Sequence, residues 1–242
     1  MLDKPHKIFY NTYIISFGGA FMKWLFRLDY KYVRYALQNL MYYIVGGMAV
    51  MFVMNIVLTA NGTFDIENGE SLYALLSFDR ALIMQGQVWR LISFIFLPPE
   101  SSTLFMVFAL YFYYHIGTSL EASWSSFRFN AYYLIGVIGT IIFGFVTGYT
   151  TNFYLNMSLF FAYAMLFPEE KLMLFFFIPV KIKYLALLDA AFFVLSFITA
   201  FLPYKVALLV AVGNFLLFFW DDMINFIKTS YSNYKVRKSF RR

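Results

Sequence analysis

The run YLNMSLFFAYAMLFPEEK, residues 154–171, carries one hydroxyl, Ser158, among apolar neighbours. A serine acts as a nucleophile only when a proton acceptor lies within hydrogen-bond reach. Few such acceptors are available. The chain has two histidines, His6 and His115, and no cysteine. Disulfides, thiol chemistry and a His-rich metal site are therefore excluded, and no cofactor is expected. Other polar side chains in apolar surroundings include Asn156, Asn214, Asp189 and Lys205. Whether any of them can serve Ser158 depends on the elements that carry them.

The chain has 242 residues, 62% hydrophobic and 13% charged, with 32 Phe and 20 Tyr. A soluble domain carries about 25% charged residues. This is the composition of an integral membrane protein. In that setting the net charge of +6 points to anionic lipid headgroups and away from nucleic acid. A crossing needs about 20 apolar residues. Six spans are read, at roughly 39–59, 102–120, 130–149, 153–167, 184–201 and 206–220. Of the 19 Lys and Arg, all but Arg80, Arg90 and Lys205 fall on one side of this topology. The positive-inside rule then puts both termini in the cytoplasm. Residues 1–38 form a cytoplasmic segment, 39–225 the membrane domain and 226–242 a basic tail. In residues 20–38, Lys23, Arg27, Lys31 and Arg34 share a helical face, which predicts an amphipathic helix lying in the interface.

Depth separates the candidate chemistry. His115 falls ~20 Å below the outer surface and Ser158 only ~8 Å, at 1.5 Å per residue. Lys205, at the top of span six, is a conceivable Ser–Lys base but is better placed to snorkel to the outer interface. The reading preferred for Ser158 is a small residue bonded to a carbonyl one turn back or packed against span six. Asp189, in span five, calls for a partner, and Lys181 or Lys183 lie below it. Gly136, Gly139, Gly144 and Gly148 allow close helix approach in span three, with Gly144 and Gly148 as a small-xxx-small pair.

At GQVWRLISFIFLPP the sequence resembles the rhomboid superfamily of intramembrane serine proteases, their inactive relatives and the derlins. The Trp-Arg pair of that family's large first loop matches Trp89 and Arg90. Its Gly-x-x-x-Glu after the second span matches Gly117 and Glu121. The resemblance covers about residues 39–225. It implies an all-α, six-transmembrane-helix bundle with a large external first loop. It also implies a Ser-His dyad, with the serine of a Gly-x-Ser-Gly motif at Ser158 and the histidine at Asn214. Both glycines of the motif are replaced, by Asn156 and Leu159, and the oxyanion donors of span two fall on or near Phe105 and Ala109.

The dyad is thus incomplete. The expected function is a pseudoprotease binding transmembrane client segments, with Asn156, Ser158, Asn214, Gly144 and Gly148 as client-binding or packing residues. An Asn214 contact to Ser158 or Asn156 is expected in place of the dyad. The alternatives are an active rhomboid peptidase using Ser158, and a small-solute or ion transporter using Asp189 and Asn214. The lack of cysteine and the compact core suggest a bacterial plasma membrane.

Overall fold

A computed structural model describes residues 20–62, 71–99, 103–174, 178–199, 205, 208–209 and 212–220. The first 19 residues, Asp221, Asp222 and the basic tail lie outside the described residues. The long helices are α1 (Ala20–Tyr32), α2 (Leu40–Ala60), α6 (Thr103–Ser123), α7 (Ser126–Thr147), α8 (Phe153–Leu166) and α9 (Ile182–Thr199). Residues 212–220 are also helical. Three short helices, α3 (Leu72–Leu76), α4 (Arg80–Met84) and α5 (Arg90–Ser93), lie between α2 and α6. By length and composition, α2, α7 and α9 can cross a membrane; α8 is apolar but shorter, at 14 residues.

Local chemistry sets the helix ends. Ser125 caps α7, its Oγ accepting from the Arg128 N–H at 3.2 Å. Gly148 ends that helix at φ +96°, where a side chain would be strained, and donates to Gly144 O at 2.8 Å. Asn39 precedes α2 in the left-handed region (φ 55°). Its N–H is taken by Glu121 Oε1 at 2.8 Å, which also accepts from Ser126 Oγ at 2.6 Å. A carboxylate at a helix N-terminus opposes the macrodipole favourably. One turn before Glu121, a Cβ on Gly117 would lie 1.9 Å from Met41 Cγ. The Gly-x-x-x-Glu pair thus fastens α6 to the start of α2.

The expected all-α architecture needs one correction: two small antiparallel ribbons accompany the helices. β1 (Phe78–Asp79) pairs with β2 (Tyr149–Thr150), joining the first loop to the α7–α8 turn. β3 (Lys171–Leu174) pairs with β4 (Ile178–Lys181) as a hairpin between α8 and α9. That segment is rich in Leu, Phe and Met, with the β-branched Ile178 and Val180 on the return strand.

The first loop is anchored by Arg90, which is 3% exposed. Its Nη1 donates to Ala74 O (2.8 Å) and Ser77 O (2.7 Å), and its Nε to Gln87 Oε1 (2.8 Å). Asn152, just before α8, donates to Ile95 O and Leu97 O at 3.0 and 2.7 Å. Arg80 reaches Phe145 O at 3.0 Å. Trp89 is half exposed and donates to Leu75 O at 3.4 Å. Buried polar groups are costly without partners, and here they turn an apolar loop into a fixed cap over the α7–α8 turn.

Candidate functional site

Ser158, on α8, is 1% exposed. The Tyr132 hydroxyl, on α7, makes a short hydrogen bond with Ser158 Oγ and donates to Ser158 O at 2.9 Å. Asn214 completes the group from residues 212–220: its Nδ2 lies 3.4 Å from Ser158 Oγ and 3.5 Å from Tyr132 O. Gly136 makes this approach possible. A Cβ there would lie 2.4 Å from Leu155 Cδ1 and 2.8 Å from Asn214 Nδ2. Asn156 is also buried, with its amide beside the Tyr113 hydroxyl. Among the described residues, the Oδ1 atoms of Asn156 and Asn214 have no donor.

Aromatic rings wall this cluster. Tyr132 meets Phe218 edge-on at 4.8 Å and Trp124 at 5.3 Å, and Trp124 stacks on Phe218 at 6.2 Å. A tyrosine hydroxyl is protonated at neutral pH, so Tyr132 supplies Ser158 with a donor and not with a base. An amide has no proton-accepting nitrogen to relay a proton. Among the described residues, Ser158 therefore has no partner of the kind that general-base activation requires.

His115 is committed elsewhere. Its Nε2 lies 3.0 Å from the Tyr163 hydroxyl, which in turn donates to Glu170, and Tyr111 stacks on the ring. Tyr163 is five residues past Ser158 on α8, or ~7.5 Å along the axis. Lys205 rests over the Phe197 ring, 5.8 Å from its centre. Phe105, at the expected oxyanion position, is exposed, and the buried residue of that turn is Met106.

Two further expectations are corrected. Lys181 and Lys183 do not pair with Asp189; both bond Glu169, Lys181 at 2.8 Å. Glu169, three residues past α8, meets Lys181 at the end of β4 and Lys183 in the first turn of α9, and among the described residues Asp189 makes no ion pair. The two glycines of the small-xxx-small pair also have separate roles. Gly144 admits Phe78 of the first loop (2.5 Å to a built Cβ), whereas Gly148 has open space around it and serves as the helix cap.

Sequence reasoning missed Tyr132 and Asp29. Asp29, on α1, accepts from Arg128 Nε at 3.0 Å and from Ser125 Oγ at 2.9 Å. The pair is 99 residues apart in sequence and buried. An acid in a basic amphipathic helix was the available signal.

Residues 40–155 match the model of a family described as "Eukaryotic integral membrane protein (DUF1751)". No curated protein and no solved structure matches the chain. The match runs from α2 into α8; it takes in Tyr132 and Gly136 but stops three residues short of Ser158 and does not reach Asn214. It also overturns the bacterial plasma membrane assignment, because the matching family is eukaryotic. Neither missing cysteine nor a compact core is physically tied to bacteria. The chain is an integral membrane protein, similar over just under half its length to that eukaryotic family.

Proposed function

We propose that this chain is a six-span, rhomboid-like pseudoprotease that holds transmembrane segments of other proteins without cutting them. In this reading the spans are α2, α6, α7, α8, α9 and the helix through 212–220, with both termini cytoplasmic. The carrying observation is the occupancy of the Ser158 hydroxyl: buried, bonded to Tyr132 and approached by Asn214.

Two features support client binding. The 14 residues of α8 span ~21 Å at 1.5 Å per residue, less than the ~30 Å hydrocarbon slab. Short spans thin the bilayer around them, which lowers the cost of exposing a client's polar residues. Between α2 and α6 there is an open groove of about 590 Å³, lined by Tyr42, Gly46, Val50, Leu110 and Tyr114 among others. Gly46 leaves open space at its surface.

A fluorophosphonate probe on the purified full chain tests the non-catalytic half. No labelling is expected, and labelling that disappears in Ser158→Ala overturns the proposal. A photo-crosslinker at Val50 tests the other half. In proteoliposomes it should capture a single-span test segment carrying central polar residues in preference to a polyleucine segment. Equal capture of the two removes the client reading.

A further inference from the structure

We infer that α1 and the 3-10 turn that follows it, Val33–Tyr35, form a fixed docking face for the anionic lipid headgroups of the membrane the chain spans. The inference does not depend on the pseudoprotease reading. Leu25 is 2% exposed and Asp29 is buried by its contacts to Arg128 and Ser125. At 100° per residue these two positions lie within 40° of each other on the helix. Arg27, Tyr30 and Lys31 point the opposite way, all exposed, with Tyr30 at 93%. Arg34 and Tyr35 continue the exposed surface, Tyr35 at 83%.

Asp29 is the only acid between residues 20 and 38, and its charge is neutralised by Arg128. Among the described residues of this segment, the exposed face therefore carries three cations and tyrosines with no carboxylate of its own. The pinning contacts also set its depth. Arg128 lies in the first turn of α7, a helix long and apolar enough to cross the membrane. The Tyr32 ring stacks on Phe127 of the same turn, 6.5 Å between centres. The helix is thus held where α7 enters the bilayer, at headgroup level, where amphipathic Tyr and basic side chains are favoured. Lys31 Nζ lies 5.2 Å from the centre of the Tyr32 ring. The complementary partner is a surface of anionic headgroups and not a neutral one.

The test is hydrogen exchange of the amides of residues 27–35 in the full chain, in nanodiscs of phosphatidylcholine alone or with about one third phosphatidylglycerol. Anionic lipid should slow exchange by tenfold to about 100-fold, from the worth of each basic group near such a surface. The difference should vanish in 1 M salt, where the Debye length is ~3 Å, and in the Arg27→Glu, Lys31→Glu, Arg34→Glu triple variant. Inorganic phosphate added to the neutral nanodiscs should not reproduce it. Equal exchange in the two lipids, a difference that survives salt, or full protection by phosphate alone overturns the inference. The salt arm uses the unmutated chain, so a folding defect in the triple variant cannot mask the answer.

Discussion

The Tyr132–Ser158 bond makes a quantitative prediction because its two ends are unequally supported. Tyr132→Phe keeps the ring against Phe218 and Trp124 and removes the hydroxyl. Both Ser158 contacts are then lost, the one at 2.9 Å to Ser158 O and the short one to Oγ. Ser158 O stays paired within α8, and Ser158 Oγ keeps only the long Asn214 contact at 3.4 Å. The expected cost is ~1 kcal/mol, a typical net hydrogen bond and within the range measured between membrane helices. Ser158→Ala removes less, because Tyr132 can still donate to the backbone carbonyl; ~0.5 kcal/mol is expected. Beyond Tyr132→Phe the double variant loses only the long Asn214 contact, so it should cost little more than ~1 kcal/mol, giving a coupling of up to ~0.5 kcal/mol. Reversible unfolding in mixed micelles, followed by tryptophan fluorescence, measures all three. Additive costs, or a Ser158→Ala variant that is the most destabilised, would refute the reasoning. Such a result would mean that Ser158 makes its principal contacts elsewhere, and the claim that its hydroxyl is occupied would fall with it.

Arg90→Lys should destabilise the chain by ~2–3 kcal/mol, since an ammonium cannot reproduce the planar fork that reaches Ala74 O, Ser77 O and Gln87 together. Thermal melts alongside protease nicking between residues 71 and 99 check this, and a change under ~0.5 kcal/mol, the level of an ordinary surface substitution, contradicts the anchor role. Glu169 lies outside the membrane helices, and Lys181 and Lys183 hold its carboxyl down to about 2 from 4.5. The stabilisation from a lowered carboxylate is fully present above 4.5 and is lost as the pH falls toward 2. The melting temperature gap between wild type and Glu169→Gln should therefore be constant from pH 7 to 5 and close between pH 4.5 and 2. A gap that is unchanged at pH 2.5 counts against the lysine clamp.

What was legible in the sequence follows from how each feature is encoded. Apolar runs encode helices locally, so the stretches read as spans one to five coincide with α2, α6, α7, α8 and α9 to within a few residues. Ser158, Asn156 and Asn214 stand out because a polar residue inside an apolar run is costly and so draws notice. The partner that fixes Ser158 does not stand out. Tyr132 is one of 20 tyrosines in a chain where aromatic residues are the common filling, and nothing in its spacing marks it. The ion pair of Asp29 with Arg128 is hidden differently. Each residue reads locally as a surface charge, and only the packing of α1 across α7 brings them together.

The failed pairing of Asp189 shows the same limit from the other side. Sequence proximity pointed to Lys183 or Lys181, yet Lys181 at the end of β4 and Lys183 in the first turn of α9 both bond Glu169. The exchange follows from solvation. Glu169 is exposed at the end of α8, where two lysines reach it without leaving water. Reaching Asp189 would carry an ammonium into the apolar layer, at a desolvation cost that a partly buried pair does not reliably return. A charge read from sequence should thus be assigned to the partner that costs least to desolvate, before the one nearest along the helix. Arg128 and Asp29 meet the same cost by another route: the pair is buried, and Ser125 Oγ on the carboxylate and Trp124 O on the guanidinium supply the extra hydrogen bonds that a buried ion pair needs to offset its desolvation.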